Sequence, residues 1–306
     1  MKGINQTSVI DIVIIGFEGP LQFRILMAGI IFLLYSMTLG MNSLIIVLVT
    51  ISRRLHSPMY FFLCHLAITD IIIPSIIVPN LLYVTLLDRG TISLSNCLAQ
   101  FFFFGMAIDF ECLILTLMSY DRFLAICRPL HYMSIMSLKF QILLATSCWL
   151  LAFTLALLVL SHMLTFQFCG SNVINHLFCD LHPLLNLSCS DTFIVDMEVL
   201  VAVVLLTVFA FVFIALTYVW IFHTIFGSSM TTGRQKAFST CSSHLTVVCT
   251  YYATLVTNYL VPLTGRTTDL AKYISFLYIV ITPLMNPIIY TLRNREIRSA
   301  LNYYIH

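Results

Sequence analysis

The run Met118-Ser119-Tyr120-Asp121-Arg122-Phe123-Leu124-Ala125-Ile126-Cys127, followed at once by Arg128-Pro129-Leu130-His131-Tyr132, ends a long apolar stretch near the middle of a 306-residue chain. An Asp-Arg pair is costly beside hydrocarbon, so it needs a role there, such as a paired, releasable switch. Composition says that the surroundings are hydrocarbon. The chain is 60% hydrophobic and 9% charged, where a soluble domain carries about a quarter charged residues. Windows of about 20 apolar residues, the length that crosses a bilayer core, fall near 24–50, 58–82, 96–118, 140–161, 197–223, 237–260 and 272–292. The expected fold is therefore an all-α membrane protein, a bundle of seven transmembrane helices. Pro58, Pro74, Pro79, Pro283 and Pro287 sit in or at these spans, which lipid-embedded helices tolerate better than soluble ones.

Basic residues orient the bundle. Arg53 and Arg54 follow span one, Arg128 and Lys139 separate three from four, Arg234 and Lys236 separate five from six, and Arg293, Arg295 and Arg298 follow seven. Those segments are assigned to the cytoplasm, leaving the N-terminus outside and the C-terminus inside. Residues 1–20 lack the pattern of a cleavable signal peptide, so span one is expected to act as its own signal. Cys97, Cys169, Cys179 and Cys189 then fall on the outside, where disulfides persist, and four cysteines allow three pairings. The other six lie in spans or on the inner side. Asn5-Gln6-Thr7 is a glycan acceptor pattern on the outer tail, and Asn186-Leu187-Ser188 is a second, more crowded one. The division expected is an outer tail over 1–23, a bundle over 24–293 with a long outer loop at 162–196, and an inner tail over 294–306 with a short amphipathic helix around 294–304.

Four blocks together resemble the olfactory receptors, a branch of the rhodopsin-like G-protein-coupled receptors. They are the Asp-Arg segment, Leu55-His56-Ser57-Pro58-Met59-Tyr60-Phe61-Phe62-Leu63, Lys236-Ala237-Phe238-Ser239-Thr240-Cys241-Ser242-Ser243-His244-Leu245, and Pro283-Leu284-Met285-Asn286-Pro287-Ile288-Ile289-Tyr290-Thr291-Leu292-Arg293-Asn294. The order of the blocks and their coverage of nearly the whole chain make the resemblance specific. Departures are Phe123 where the family usually has Tyr, Met41 for Gly, and Ala67 for Ser.

The resemblance implies disulfides Cys97–Cys179 and Cys169–Cys189, folding the 162–196 loop over the bundle as a lid. It implies that Asp121 holds Arg122 at rest and that the released arginine meets the C-terminal helix of a G protein, a two-state element biased by ligand. Tyr218 and Tyr290 resemble tyrosines that swing toward that arginine. A plain interfacial anchor is the alternative for Asp121-Arg122. The resemblance also puts Asn42, Asp70, Glu111 and Asn286 in one central polar cluster. Close carboxylates resist joint ionisation, so a sodium ion or a shared proton would relieve Asp70 and Glu111.

Helical stepping puts Phe104, Ile108 and Glu111 on one stripe of span three, with Gly105, Asp109 and Cys112 on the next. Asp109 is thereby expected to turn toward spans four and five. By resemblance an odorant pocket between spans three, five, six and seven is walled by Phe104, Gly105, Ile108, Asp109, Ala202, Leu206, Tyr252, Tyr259, Phe276 and Ile279, with Leu181 from the lid. Such a wall suits a small hydrophobic molecule with about one polar group. Asp109 is unusual for the family. It is either a counter-ion for an amine, an acceptor for an alcohol, or a carboxyl kept neutral by burial or satisfied by a neighbour such as His162. His176, Cys179 and His182 could be read as metal ligands, though a disulfide would remove the Cys179 thiolate; loop histidines with structural roles are the expectation, and no metal site is assigned. His56, His131 and His244 are expected to bond loop backbone or helix ends.

No phosphate loop, His-Glu-x-x-His pair or Ser/His/Asp set is present, so no enzyme is expected, and no nucleic-acid partner. Internal repeats of the transporter kind are not apparent. The expected protein is an odorant receptor of the plasma membrane, by resemblance of sensory neuron cilia, raising cyclic AMP through the stimulatory olfactory G protein. A receptor for an endogenous ligand elsewhere shares that mechanism, and a channel or transporter is the competing class.

Overall fold

The computed structural model describes residues 11–169, 171–227, 231–263 and 268–305, and in 231–240, 258–263, 268–269 and 305 the backbone alone. Seven long helices cross in sequence. Span one is Leu21–Ile51, two Pro58–Leu87, three Leu94–Cys127, four Leu138–Met163 and six Thr231–Leu263. Span five is continuous from Phe193–Ala202 through a π-helical stretch, Val203–Val208, into Phe209–Gly227. Span seven likewise passes from Thr268–Phe276 through a π-helical Leu277–Ile281 into Thr282–Arg293. Each helix overshoots its apolar window because backbone hydrogen bonding continues past the hydrocarbon. Asn5 lies outside the described residues, as does the side chain of Tyr259.

Large apolar side chains on the outside of span five, among them Phe209, Phe213, Leu216 and Trp220, are exposed, as expected of surface that meets lipid rather than water. Lipid tails are as apolar as the side chains, so helices associate through close packing. Span four shows how. Ala145, Cys148, Ala152 and Ala156 form its buried stripe, while Leu143, Leu150 and Leu157 face outward. This small-residue stripe lets span three approach closely, and Trp149 stacks on Phe110 with centroids 3.8 Å apart.

Proline chemistry locks span seven to span one. Pro287 has no N–H to give to the Pro283 carbonyl one turn earlier. The Asn42 side-chain amide donates to that carbonyl at 3.1 Å, and to the Thr38 carbonyl at 3.0 Å.

Both expected disulfides form, Cys97–Cys179 and Cys169–Cys189. Gln100 holds the first from below, accepting from the Cys179 N–H at 2.9 Å and donating to the Ile76 carbonyl at 3.1 Å. A small sheet that the all-α expectation lacked sits above the bundle. Its strands are β1 (Asp11–Ile14), β2 (Gly90–Ser93) and β3 (Val173–Ile174), in the order β2-β1-β3. β1 is antiparallel to β2 and parallel to β3. Gly90 is needed at the edge, because a Cβ there would lie 2.6 Å from Val84 Cγ2. At the opposite end the helix Arg295–Ile305 turns away from span seven, capped by Asn294 Oδ1 on the N–H of Glu296 (3.0 Å) and Ile297 (3.3 Å). Ile297 and Ala300 are its buried face.

Candidate functional site

Three polar or hollow regions stack along the axis of span three. Uppermost is a cavity of about 120 Å³. Phe104, Gly105, Ile108 and Asp109 line it from span three, Ala202 and Leu206 from span five, and Leu181 from the lid, as expected. The remaining wall differs. Span four supplies Leu155, Ala156, Leu158 and Val159, span six supplies Tyr251 and Leu255, and among the described residues span seven supplies none.

Tyr252, Phe276 and Ile279 are therefore not in the wall, and the reason is helical phase. Tyr251 and Leu255 are i,i+4 neighbours on one face of span six, and the next residue, Tyr252, turns to Phe211 of span five at 5.1 Å between centroids. On span seven the inward pair is Ser275 and Tyr278, which line a second, outer cavity of about 360 Å³. Phe276 packs on Phe17 instead, and Ile279 is fully buried in the core. Phe104, Ile108, Asp180, Leu181 and Leu255 border both cavities.

Asp109 faces span four and five residues across the inner cavity, and no described residue donates a hydrogen bond to it. His162 does not serve it. That imidazole is paired with Glu198 of span five at 2.9 Å, and Glu198 is a cavity residue that the sequence reading missed. Below Asp109 the Cys112 thiol donates to the Leu206 carbonyl at 3.0 Å, within the π-helical stretch. The Tyr251 hydroxyl donates to the Ile108 carbonyl at 3.2 Å. Both bonds tie the cavity floor to spans five and six.

Among the described residues no group of three or more His, Cys, Asp or Glu is placed to hold a metal ion. Cys179 is in a disulfide and His182 is exposed. His176 is buried, 3.3 Å from Ser275 Oγ and edge-on to Phe178. Burial holds its pKa below the usual histidine value, with Asp180 and the Phe178 backbone opposing the shift and Lys272 adding to it.

The middle region gathers the four expected polar residues. Asn286 donates to both Asp70 carboxylate oxygens, at 2.9 and 3.1 Å, and lies against Glu111 as well. Asn42 joins through the Pro283 carbonyl. Asn42 Oδ1, Glu111 Oε1 and Asn286 Oδ1 are buried without a partner. All three are acceptors.

The lowest region is the Asp-Arg pair. Asp121 is fully buried and takes Arg122 Nε at 2.9 Å, with a second bond from Arg122 Nη2. Its other oxygen accepts from the Tyr132 hydroxyl at 2.8 Å. Tyr132 lies on the short helix Pro129–Ile135 of the inner loop, and burial and the Asp121 charge raise its pKa, so it stays a donor. The tyrosine absent at Phe123 is thus not the only phenol of the motif. Tyr218 bonds His244 Nδ1 at 2.6 Å, joining spans five and six. His244 is fully buried rather than on a loop or helix end. The Tyr290 hydroxyl is buried with no partner among the described residues. His56 reaches the Thr50 carbonyl at 3.3 Å, a backbone contact as expected.

Comparison with known proteins bears on the fold and the family. The family described as "Olfactory receptor" matches residues 31–305. Olfactory receptor 13A1 of Homo sapiens is 42% identical over 297 residues, covering 97% of this chain and 90% of that protein. Olfactory receptor 6B1 of Homo sapiens is 41% identical over 297 residues, 97% and 95% respectively, and olfactory receptor 5P68 of Mus musculus is 39% identical over 301 residues, 98% and 96%. The crystal structure of squid rhodopsin has the same fold, with a TM-score of 0.76 at 15% identity over 94% of this chain and 87% of that one.

Proposed function

The chain belongs to the olfactory receptor family, multi-pass membrane proteins of the rhodopsin-like receptor class, and on that premise we propose that it is an odorant receptor that drives a stimulatory G protein. Its outer tail and lid face the extracellular side, and the ends of spans three, five and six face the cytoplasm. A small, mostly apolar odorant binds in the inner cavity and favours an open cytoplasmic face, on which the stimulatory olfactory G protein exchanges nucleotide and cyclic AMP rises.

The observation that carries this reading is the inner cavity itself. Its volume of about 120 Å³ is close to the roughly 150 Å³ of a dry cavity that holds benzene. Its floor is wired to the parts that must move. A ligand pressing on Ile108 and Cys112 bears on the Tyr251 bond to span six and the Leu206 bond to span five. The inner ends of those spans meet through Tyr218 and His244, beside an Arg122 still held by Asp121. Opening would part that contact and free the arginine for the G protein's C-terminal helix. A ligand acts only through its difference in affinity for the two states.

The central cluster suits a sodium ion. Three acceptor oxygens without donors, one of them on Glu111, together with the Asp70 carboxylate are a hard-oxygen set, and one cation relieves several of them where one proton relieves one. Asp70, Glu111, Asn42 and Asn286 would hold it, and its charge would offset theirs in the resting bundle.

The test is a cyclic-AMP response in cells expressing the chain with the olfactory G protein, across amines, alcohols, aldehydes and ketones of matched shape. A response that vanishes in Arg122→Ala with surface expression intact is expected. Ion flux without ligand would favour a channel instead.

A further inference from the structure

The inner cavity is apolar in bulk and acidic in its polar part. Asp109, Asp180 and Glu198 line it, and among the described residues no Lys, Arg or His does. Two of the three acids are occupied. Asp180 accepts from the Leu181 N–H at 2.8 Å, capping the short lid helix, and Glu198 is paired with His162. Asp109 accepts no hydrogen bond from any described residue, and its neighbour Cys112 has given its thiol to the Leu206 carbonyl.

A carboxyl at that depth in a membrane is costly unless something meets it. No described residue does, and the space in front of it is a cavity. We infer that the ligand is a small alkyl or aryl amine, its ammonium held by Asp109 and its hydrocarbon lying against Phe104, Ala202 and Leu206. The inference rests on the receptor reading above and names the ligand class for the same cavity.

The rest of the cavity agrees with a cation. Thr207 is among the lining residues, and a threonine hydroxyl can accept a second ammonium hydrogen. Asp180 borders both cavities, so a cation arriving from outside meets an acid at the partition before it reaches Asp109. The volume admits one ring or a short branched chain and no more. A charge-assisted bond in a dry pocket is roughly twice as strong as a neutral one, so the amine gains over an alcohol of equal shape.

Binding is measured on the purified, full-length receptor in detergent, by titrating its thermal unfolding midpoint with cyclohexylamine, cyclohexanol and methylcyclohexane. In the wild type the amine is expected to bind at least about tenfold more tightly than the alcohol. Asp109→Asn is expected to lower the amine-to-alcohol affinity ratio by about tenfold or more, while Asp109→Glu keeps the amine preference. Equal or absent amine binding in the wild type, or an unchanged ratio in Asp109→Asn, overturns the inference. Should Asp109→Asn fail to fold, the wild-type ratio decides alone. Amine binding without a cyclic-AMP response would remove the signalling reading and leave this one, whereas a response confined to neutral compounds would do the reverse.

Discussion

On the proposed function, single residues carry the switch, and one of them, Tyr132, is hidden in plain view. Tyr132 is part of the stretch that identified the fold, yet only the inner-loop helix Pro129–Ile135 brings its hydroxyl to Asp121. No spacing rule shows that, because the contact joins a loop helix to a span. A hydrogen bond to a charged group is worth about 1.5–3 kcal/mol, and on the proposed function this one holds the resting state. Tyr132→Phe is expected to raise ligand-free cyclic AMP, normalised to surface expression, by about threefold or more; an unchanged basal level would show that the bond does not hold the resting state. Asn42 offers a second case. Removing it strands the Pro283 carbonyl that Pro287 cannot serve, at a cost of about 1–3 kcal/mol. A lower unfolding midpoint for Asn42→Ala in detergent is the expected result.

Elements were legible to the degree that their signal was local. Each span is an apolar window that announces itself without reference to its neighbours, and the Arg and Lys clusters bracket them. The β1-β2-β3 sheet is different. Its strands are two to four residues long and come from three distant segments, so no window contains the pattern. Facing direction was harder than existence. Helical stepping phases span three because Glu111 and Asp109 mark its two sides, but the wall residues that the resemblance implies on spans six and seven fall one residue off, Tyr252 for Tyr251 and Phe276 for Ser275. The π-helical stretches in spans five and seven leave no sequence mark. The lid carries its own prediction. His176 is held neutral among Phe178, Asp180, Lys272 and Ser275, whereas in the unfolded chain it takes up a proton near pH 6.5. Below that pH the unfolded state binds more protons, so stability falls on acidification and is kept above it. Unfolding midpoints compared at about pH 7 and about pH 5 should fall less for His176→Gln than for the wild type; equal falls would place the acid sensitivity elsewhere.

On the proposed function, the whole molecule works as two states of one bundle, with ligand above, ion in the middle and G protein below. Replacing sodium by choline at constant ionic strength is expected to lower the unfolding midpoint of the wild type and to leave Asp70→Asn unmoved. Sodium-independent stability in both would assign the cluster a shared proton instead. How the ligand biases the two states is open to a direct steric test. A Cβ built on Gly105 meets no atom within 4 Å, and the residue lines the inner cavity. Gly105→Leu should therefore fill the space where the ligand sits without disturbing the helices that frame it. The measurement is nucleotide exchange on the purified olfactory G protein by the purified receptor, with and without a compound that activates the wild type. Ligand-dependent exchange in the wild type, lost in Gly105→Leu at an equal or higher unfolding midpoint, is the expected result; exchange that still responds to ligand with the cavity filled would contradict it.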